Sequence, residues 1–167
     1  RDDLVTGVQT CALPILLYLF VLNVIVAFGI AQNGTAQKFE NLLNGNDLSG
    51  WKTTGNWVVQ KDGSLVIDPL PNQEGWKRFD DYIFSEKKYS DFIFEMEYKY
   101  PSKGNSGFFF RVGDTKNPVE TGIEVQILDC FGKKDEVMTH HDHGGIIRFR
   151  KPMRNVSKKP GEWNHMI

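Results

Sequence analysis

Cysteine is almost missing from this chain. Cys11 and Cys130 are the only two, so no disulfide framework carries the fold and a packed core has to. Net charge is almost missing too. The formal charge is −1, and Arg1, Asp2 and Asp3 account for all of it. Nothing in that balance points to the basic stripe of a nucleic-acid binder or the polybasic face of a protein held on anionic lipid. After residue 31 no stretch sustains a helical period, and the chain has no internal repeat and no low-complexity linker. Solenoids and coiled coils are thereby excluded. The longest apolar run, Leu16 to Ile30, is interrupted by Asn23 and falls short of the ~20 residues of a comfortable membrane span.

The two ends need separate treatment. Val5 to Ile15 resembles the in-frame translation of a sequencing-library adapter, so residues 1–15 are set aside as an artefact. Leu16 to Ile30 has the length of a secretory h-region, and Gly29-Ile30-Ala31 puts small residues at the cleavage-determining positions. Residues 16–31 are therefore expected to be a signal peptide, with a mature start near Gln32, a short linker over 32–38 and one domain over 39–167. A membrane anchor is the second reading of the run. The expected location is secreted or periplasmic, with no stable membrane span in the mature chain. At the other end, Pro160-Gly161-Glu162-Trp163-Asn164-His165-Met166-Ile167 reads as a turn and the opening of a strand. This predicts a domain fragment whose last strands are missing.

What the chain does have is aromatics, with twelve Phe and four Trp, and many short β-prone runs between turn residues. Trp57-Val58-Val59-Gln60, Lys61-Asp62-Gly63 and Ser64-Leu65-Val66-Ile67 predict a hairpin, because Asp-Gly suits the left-handed positions of a primed turn. A polar, Pro-containing loop over 68–80 precedes a strand at Tyr82–Ser85. Tyr89 to Tyr100 alternates, with Phe92, Phe94, Met96 and Tyr98 on one side, and predicts a long half-buried strand. The pattern gives an all-β class, a sandwich or jelly roll incomplete at its C-terminal end.

The chemistry-bearing stretch is Asn105 to Asp129. Phe108–Val112 and Ile123–Leu128 read as two strands, begun by a turn at Asn105-Ser106. In the second, period 2 puts Ile123, Val125 and Ile127 on an apolar face and Glu124, Gln126 and Leu128 on the other, which is expected to be wet. Asp129 joins Glu124 and Gln126 only if a β-bulge intervenes. The site then has two carboxyls; without the bulge it has one, and Asp129 is a turn residue. Arg111 shares the face of Gly107 and Phe109. It is either a fixed cation for a ligand or a salt-bridge partner of Glu124.

His140-His141-Asp142-His143 resembles a metal cluster only superficially, since metal ligands prefer to be spread across elements or at helical spacing. Its plain reading is a solvated loop. Its functional reading places His143 or His141 at a groove rim as acid or base, with Asp142 orienting it. Asn105 can contact a ligand as well as start its strand. Trp51 and Trp57 are expected in the core, Trp76 on a sugar face or in the core. Asn33-Gly34-Thr35 and Asn155-Val156-Ser157 are glycosylation sequons by pattern.

Several of these segments together carry a resemblance. They are Phe39…Leu43-Asn44-Gly45…Asp47-Leu48-Ser49-Gly50-Trp51, Trp57…Asp62-Gly63…Leu65, Asp91-Phe92, Asn105-Ser106-Gly107-Phe108…Arg111, Glu124-Val125-Gln126-Ile127-Leu128-Asp129, Gly144-Gly145-Ile146-Ile147 and Pro160-Gly161-Glu162-Trp163-Asn164. In this order the chain resembles the 3-keto-disaccharide hydrolase family, which implies a concanavalin-A-like lectin/glucanase jelly roll. It implies cleavage of a glycoside oxidised at C3: a base removes the acidified C2 proton, the aglycone leaves C1, and water adds to the enone. Such a site needs a base and an enolate stabiliser, not the carboxylate pair of ordinary glycosidases. Glu124-x-Gln126-x-x-Asp129 has the spacing of the glucanase catalytic strand on this fold, with an amide in place of the middle acid.

The candidate catalytic residues are thus Glu124, Asp129 and His143. The candidate substrate-binding residues are Arg111, Gln126, Asn105, His141 and Asp142. The expected partner is a glycoside or oligosaccharide. No cofactor is fixed by the resemblance, and a divalent cation stays open. A non-catalytic lectin-like sandwich is the alternative function, and a structural or adhesive module the third.

Overall fold

Alternation along the chain decides what this protein buries. In the computed structural model, which describes residues 17–20, 24–25, 39–68 and 81–167, Met96 and Tyr98 are buried while Glu97 and Lys99 between them are half-exposed. The strands are β1 (Leu17–Phe20), β2 (Val24–Ile25), β3 (Phe39–Glu40), β4 (Trp51–Lys52), β5 (Trp57–Val59), β6 (Leu65–Ile67), β7 (Phe84–Ser85), β8 (Met96–Lys99), β9 (Asn105–Phe110), β10 (Ile123–Leu128) and β11 (Asn164–Met166). One four-residue helical turn, α1 (Pro118–Thr121), interrupts the β9–β10 connection. The all-β class holds. Among the described residues no helix is long and apolar enough to cross a membrane.

Five strands form one sheet in the order β11-β8-β1-β6-β5, and β9–β10, β2–β3 and β4–β7 are separate pairs. Every pairing is antiparallel. β1 lies in the run assigned to a signal peptide, and it occupies the place between β6 and β8. The adapter-like residues 1–15, the cleavage point near Gln32, the linker 32–38, the Asn33 sequon and Trp76 lie outside the described residues.

The core joins the large sheet to the β9–β10 pair. Ile67, Met96, Tyr98, Tyr100 and Ile127 form its centre, with Trp57, Phe94 and Phe108 packed around them. Phe94 and Phe108 stack with ring centroids 4.3 Å apart. Burying side chains of this size contributes about 1.5–3 kcal/mol each, which answers how a domain without disulfides is held.

The β5–β6 hairpin forms as expected, with Val58 opposite Val66. Its turn differs from the expectation. Of the Asp-Gly pair only Gly63 has positive φ, at 83°, so the turn is not the two-residue primed type. Instead the Asp62 carboxylate accepts from the Ser64 N–H at 3.0 Å and the Ser64 hydroxyl at 2.7 Å, a local bond that favours a longer turn. The Tyr89–Tyr100 run is also shorter as a strand than expected. Its alternation survives in burial, but ladder pairing is confined to Met96–Lys99.

Candidate functional site

β9 and β10 pair without interruption from Ile123 opposite Phe110 to Leu128 opposite Asn105. A third segment flanks β10 on its other side. Gln126 N–H donates to the Gly145 carbonyl and Gly144 N–H to the Gln126 carbonyl, both at 2.8 Å, and Ile147 N–H donates to the Glu124 carbonyl at 3.0 Å. Glu124 therefore sits mid-strand in a three-stranded patch. Its side chain shares a face with Gln126, Gly107, Phe109 and Asn105.

That face is not the wet one expected. Gln126 is only 7 % exposed. The Ser106 carbonyl and the Glu124 carboxylate can only accept, so the Gln126 NH2 faces them, at 2.8 Å from Ser106 O and 3.2 Å from Glu124 Oε1. Its oxygen then faces the Asn105 carboxamide at 3.2 Å. The Glu124 carboxylate lies across Gly107, where any Cβ would fall 2.2 Å from Oε1. Glycine here is what lets the acid fold down onto its own sheet.

Beside it is a small cavity of about 110 Å³, lined by Glu124, Gly122, Ile147 and Phe149 and by the facing pair Glu120 and Arg148. Burial pushes the Glu124 carboxyl up to about 7, and the Arg148 guanidinium pulls the other way. Arg148 reaches this position through an unusual backbone. Its φ is 69°, a left-handed conformation that non-glycine residues adopt rarely. Three contacts hold it: its N–H donates to His140 Nδ1 at 3.0 Å, and its two terminal nitrogens donate to the Glu120 carboxylate at 3.1 and 2.6 Å. Sequence reasoning passed over Arg148 and Glu120, because their pairing spans 28 positions and follows no local spacing.

The remaining candidates are dispersed. No bulge enters β10, so Asp129 does not join Glu124. Its carboxylate caps a turn, accepting from the Lys103 N–H at 2.9 Å and the Phe131 N–H at 3.3 Å, and the site has one carboxyl on this strand. Asn105 and Ser106 are the first residues of β9 rather than a turn before it. Arg111 lies just past the end of that strand, with φ 56°. It is exposed, and the acid beside it is Asp91 at 3.8 Å, not Glu124.

The histidine run is not a solvated loop throughout. His141 is exposed, and burial, with His140 beside it, lowers its pKa. His143 is 2 % exposed. Its Nδ1 faces the Leu128 carbonyl at 3.2 Å and its Nε2 the Tyr98 hydroxyl at 2.9 Å. Both ring nitrogens are thus engaged in the core, away from Glu124. Asp142, 4 % exposed, orients no histidine. It accepts from Lys133 Nζ at 2.7 and 2.8 Å, from the Thr139 N–H at 2.6 Å and from the Thr139 hydroxyl at 3.0 Å. Burial raises its pKa, but these donors outweigh it and the net shift is downward.

Among the described residues no group of three or more His, Cys, Asp or Glu is placed to hold a metal ion. Trp51 and Trp57 are half-buried and donate from their indoles to the Leu42 and Asp81 carbonyls. The Asn155 amide nitrogen is engaged by the Cys130 and Lys133 carbonyls at 2.6 and 2.9 Å, so the second sequon is closed in the folded chain.

The arrangement is a partly buried acid near neutrality, an amide touching it and, across a cavity, a guanidinium paired with a second acid, Glu120. It can take a proton from carbon or oxygen and hold an adjacent anion. No curated protein and no solved structure matches the chain. A family model described as a 3-keto-alpha-glucoside-1,2-lyase-like domain matches residues 38–167. On that match, which takes in β3 to β11, the chain belongs to the 3-keto-disaccharide hydrolase family.

Proposed function

We propose that the Glu124 cavity binds a glycoside oxidised to a ketone at C3 and that Glu124 is the base that opens it. Ionised Glu124 takes the C2 proton, and the electron pair moves into the C2–C3 bond to leave an enolate at the C3 oxygen. The enolate collapses, the C1–O bond breaks, and the aglycone departs with that pair and acquires a proton. The aglycone takes its proton from solvent, water adds at C1 of the enone and gives one proton back, and Glu124, its own proton exchanged with solvent in the meantime, protonates C2. The sum is hydrolysis of the glycosidic bond. Arg148 supplies the cation for the enolate oxygen, and Gln126 steadies the carboxylate.

The observation that carries this reading is the Glu124 carboxyl. It is folded over Gly107 beside a cavity, and burial raises it to about 7. A base is most effective when its pKa lies near the working pH. An acid held there by environment, with a positive partner, is what proton abstraction next to a ketone requires. The other carboxyl lining the cavity, Glu120, is taken up by its forked pair with Arg148, which suits elimination from one base better than paired-carboxylate hydrolysis.

The domain, on this reading, is a concanavalin-A-like jelly roll acting outside the cytoplasm. The first rests on the core shared between the large sheet and the β9–β10 pair, the second on the Leu16–Ile30 run. The deciding assay offers the protein 3-keto-glucosides in deuterated water, with and without chelator. Deuterium should enter C2 with turnover, and Glu124→Gln should lower the rate by roughly 10²–10⁴-fold. Binding of unoxidised glucosides with no turnover of any 3-keto sugar would select the lectin-like alternative instead.

A further inference from the structure

The geometry points to Phe149 as the aromatic platform on which the sugar ring of the substrate stacks. The inference rests on the proposed chemistry for its reacting centre and adds the class of ring, a pyranoside with C–H bonds gathered on one face.

A cavity of about 110 Å³ is well below the roughly 300–1,000 Å³ of pockets that enclose whole small ligands. It can admit the edge of a sugar carrying C2 and C3 and no more. The rest of the ring must lie on the rim, and the rim carries Phe149, which is 72 % exposed. Scattered exposed apolar residues are ordinary and need no explanation. Met153 is more exposed still, at 91 %, and lines no part of this cavity. Phe149 differs because it lines the same space as the base.

Its backbone is also fixed. Ile146 N–H donates to the Arg150 carbonyl at 2.8 Å, and Phe149 and Arg150 N–H groups both donate to the Ile146 carbonyl at 2.9 Å. The turn these bonds close is anchored at its tip by Arg148, through His140 and Glu120. A ring standing in water on a backbone tied down this way loses little freedom when a ligand arrives, and its negative π-face attracts polarised C–H bonds. Polar groups on one side and an aromatic face on the other are the usual make-up of a sugar-binding cleft. Here Glu124 and Arg148 would read the oxygenated edge.

The test separates binding from chemistry by using Glu124→Gln as a non-reacting background. Affinities for methyl glucoside and its 3-keto derivative are measured by titration calorimetry, with saturation-transfer NMR to map the protons in contact. Phe149→Ala in that background should weaken binding about tenfold and erase the transfer to one ring face. Phe149→Trp should restore both. Phe149→Leu, which keeps bulk without the π-face, should behave like Ala. In the reactive protein Phe149→Ala should raise KM about tenfold with kcat within about twofold.

Equal affinity in the Ala and parent proteins overturns the proposal, as does absence of pyranoside binding in both. Phe149-dependent binding without turnover in the unmodified protein would uphold the platform and sink the Glu124 chemistry. Turnover that needs Glu124 with KM indifferent to Phe149 would do the reverse.

Discussion

The phenol of Tyr98 donates to Nε2 of His143 across 2.9 Å within the core. The direction follows from the other side of the ring. The Leu128 carbonyl facing Nδ1 at 3.2 Å can only accept, so Nδ1 holds the imidazole proton and Nε2 is the acceptor. Burial lowers the His143 pKa and raises that of Tyr98, keeping both neutral. His143 is thereby a strut between β8 and the end of β10.

Tyr98→Phe leaves Nε2 buried without a donor and should cost about 1–3 kcal/mol of stability, with turnover per folded molecule unchanged. The pH dependence has a definite sign. Because the native pKa lies below the unfolded value near 6.5, the unfolded chain binds the proton first as pH falls. Stability is full above pH 6.5 and declines from there toward the lowered native value. Thermal melts at pH 8, 6.5 and 5 should show this decline in the parent and a shallower one in His143→Gln. Parallel pH curves for the two would refute the assignment.

Glu124 has the opposite sign. Its folded pKa, about 7, is above the unfolded carboxylate value, so its contribution is full below pH ~4.5 and is lost as pH rises through 7. Glu124→Gln should therefore gain stability relative to the parent as pH rises from 5 to 8, while lowering activity. Denaturant titrations at pH 5 and pH 8 check it. A variant that gains nothing at pH 8 relative to pH 5 would show that the acid is not desolvated.

Gly107→Ala tests the seat of the acid without touching it. The new Cβ would lie 2.2 Å from Oε1 and 2.8 Å from Cγ of Glu124. Those atoms are the far part of a flexible side chain, so the carboxylate can swing toward solvent at little expense to folding. Stability should change by less than about 1 kcal/mol. Activity should fall at least tenfold, and the rising limb of the pH–rate profile should move down toward an ordinary carboxylate value. A large loss of stability with an unmoved limb would mean that the backbone yields instead.

Period 2 alone placed Glu124 and Gln126 on one face and Ile127 in the core, since an uninterrupted strand leaves side chains no other choice. The same logic failed for the wetness of that face. Gln126 is enclosed there by Asn105, Ser106 and Glu124, and contacts between strands distant in sequence leave no trace in residue type. His143 was misread for a related reason. A run of three histidines looks solvated until Tyr98, 45 positions away, supplies a buried donor. Asp129 depended on a bulge that only register could reveal. Arg148 was invisible because a left-handed arginine has no sequence signature, unlike the glycine at position 63.

That arginine gives the last prediction. Among the described residues Arg148 is the charged group whose field lowers the Glu124 pKa, and it is itself held by Glu120. Arg148→Ala should move the activity limb to higher pH, because the remaining influence on Glu124 is burial. Glu120→Gln should move it to lower pH, since it removes a negative neighbour and leaves the guanidinium to Glu124. Arg148→Lys keeps the charge without the forked geometry and should restore most of the limb position. Both partners are about half-exposed, so each shift should be well under a pH unit at physiological salt and larger in dilute buffer. If Arg148 also holds the enolate, the alkaline plateau of Arg148→Ala should stay depressed by roughly 10²-fold even where Glu124 is fully ionised. A plateau that recovers completely would confine Arg148 to tuning the base. A limb that ignores all three substitutions would leave burial as the sole origin of the shift.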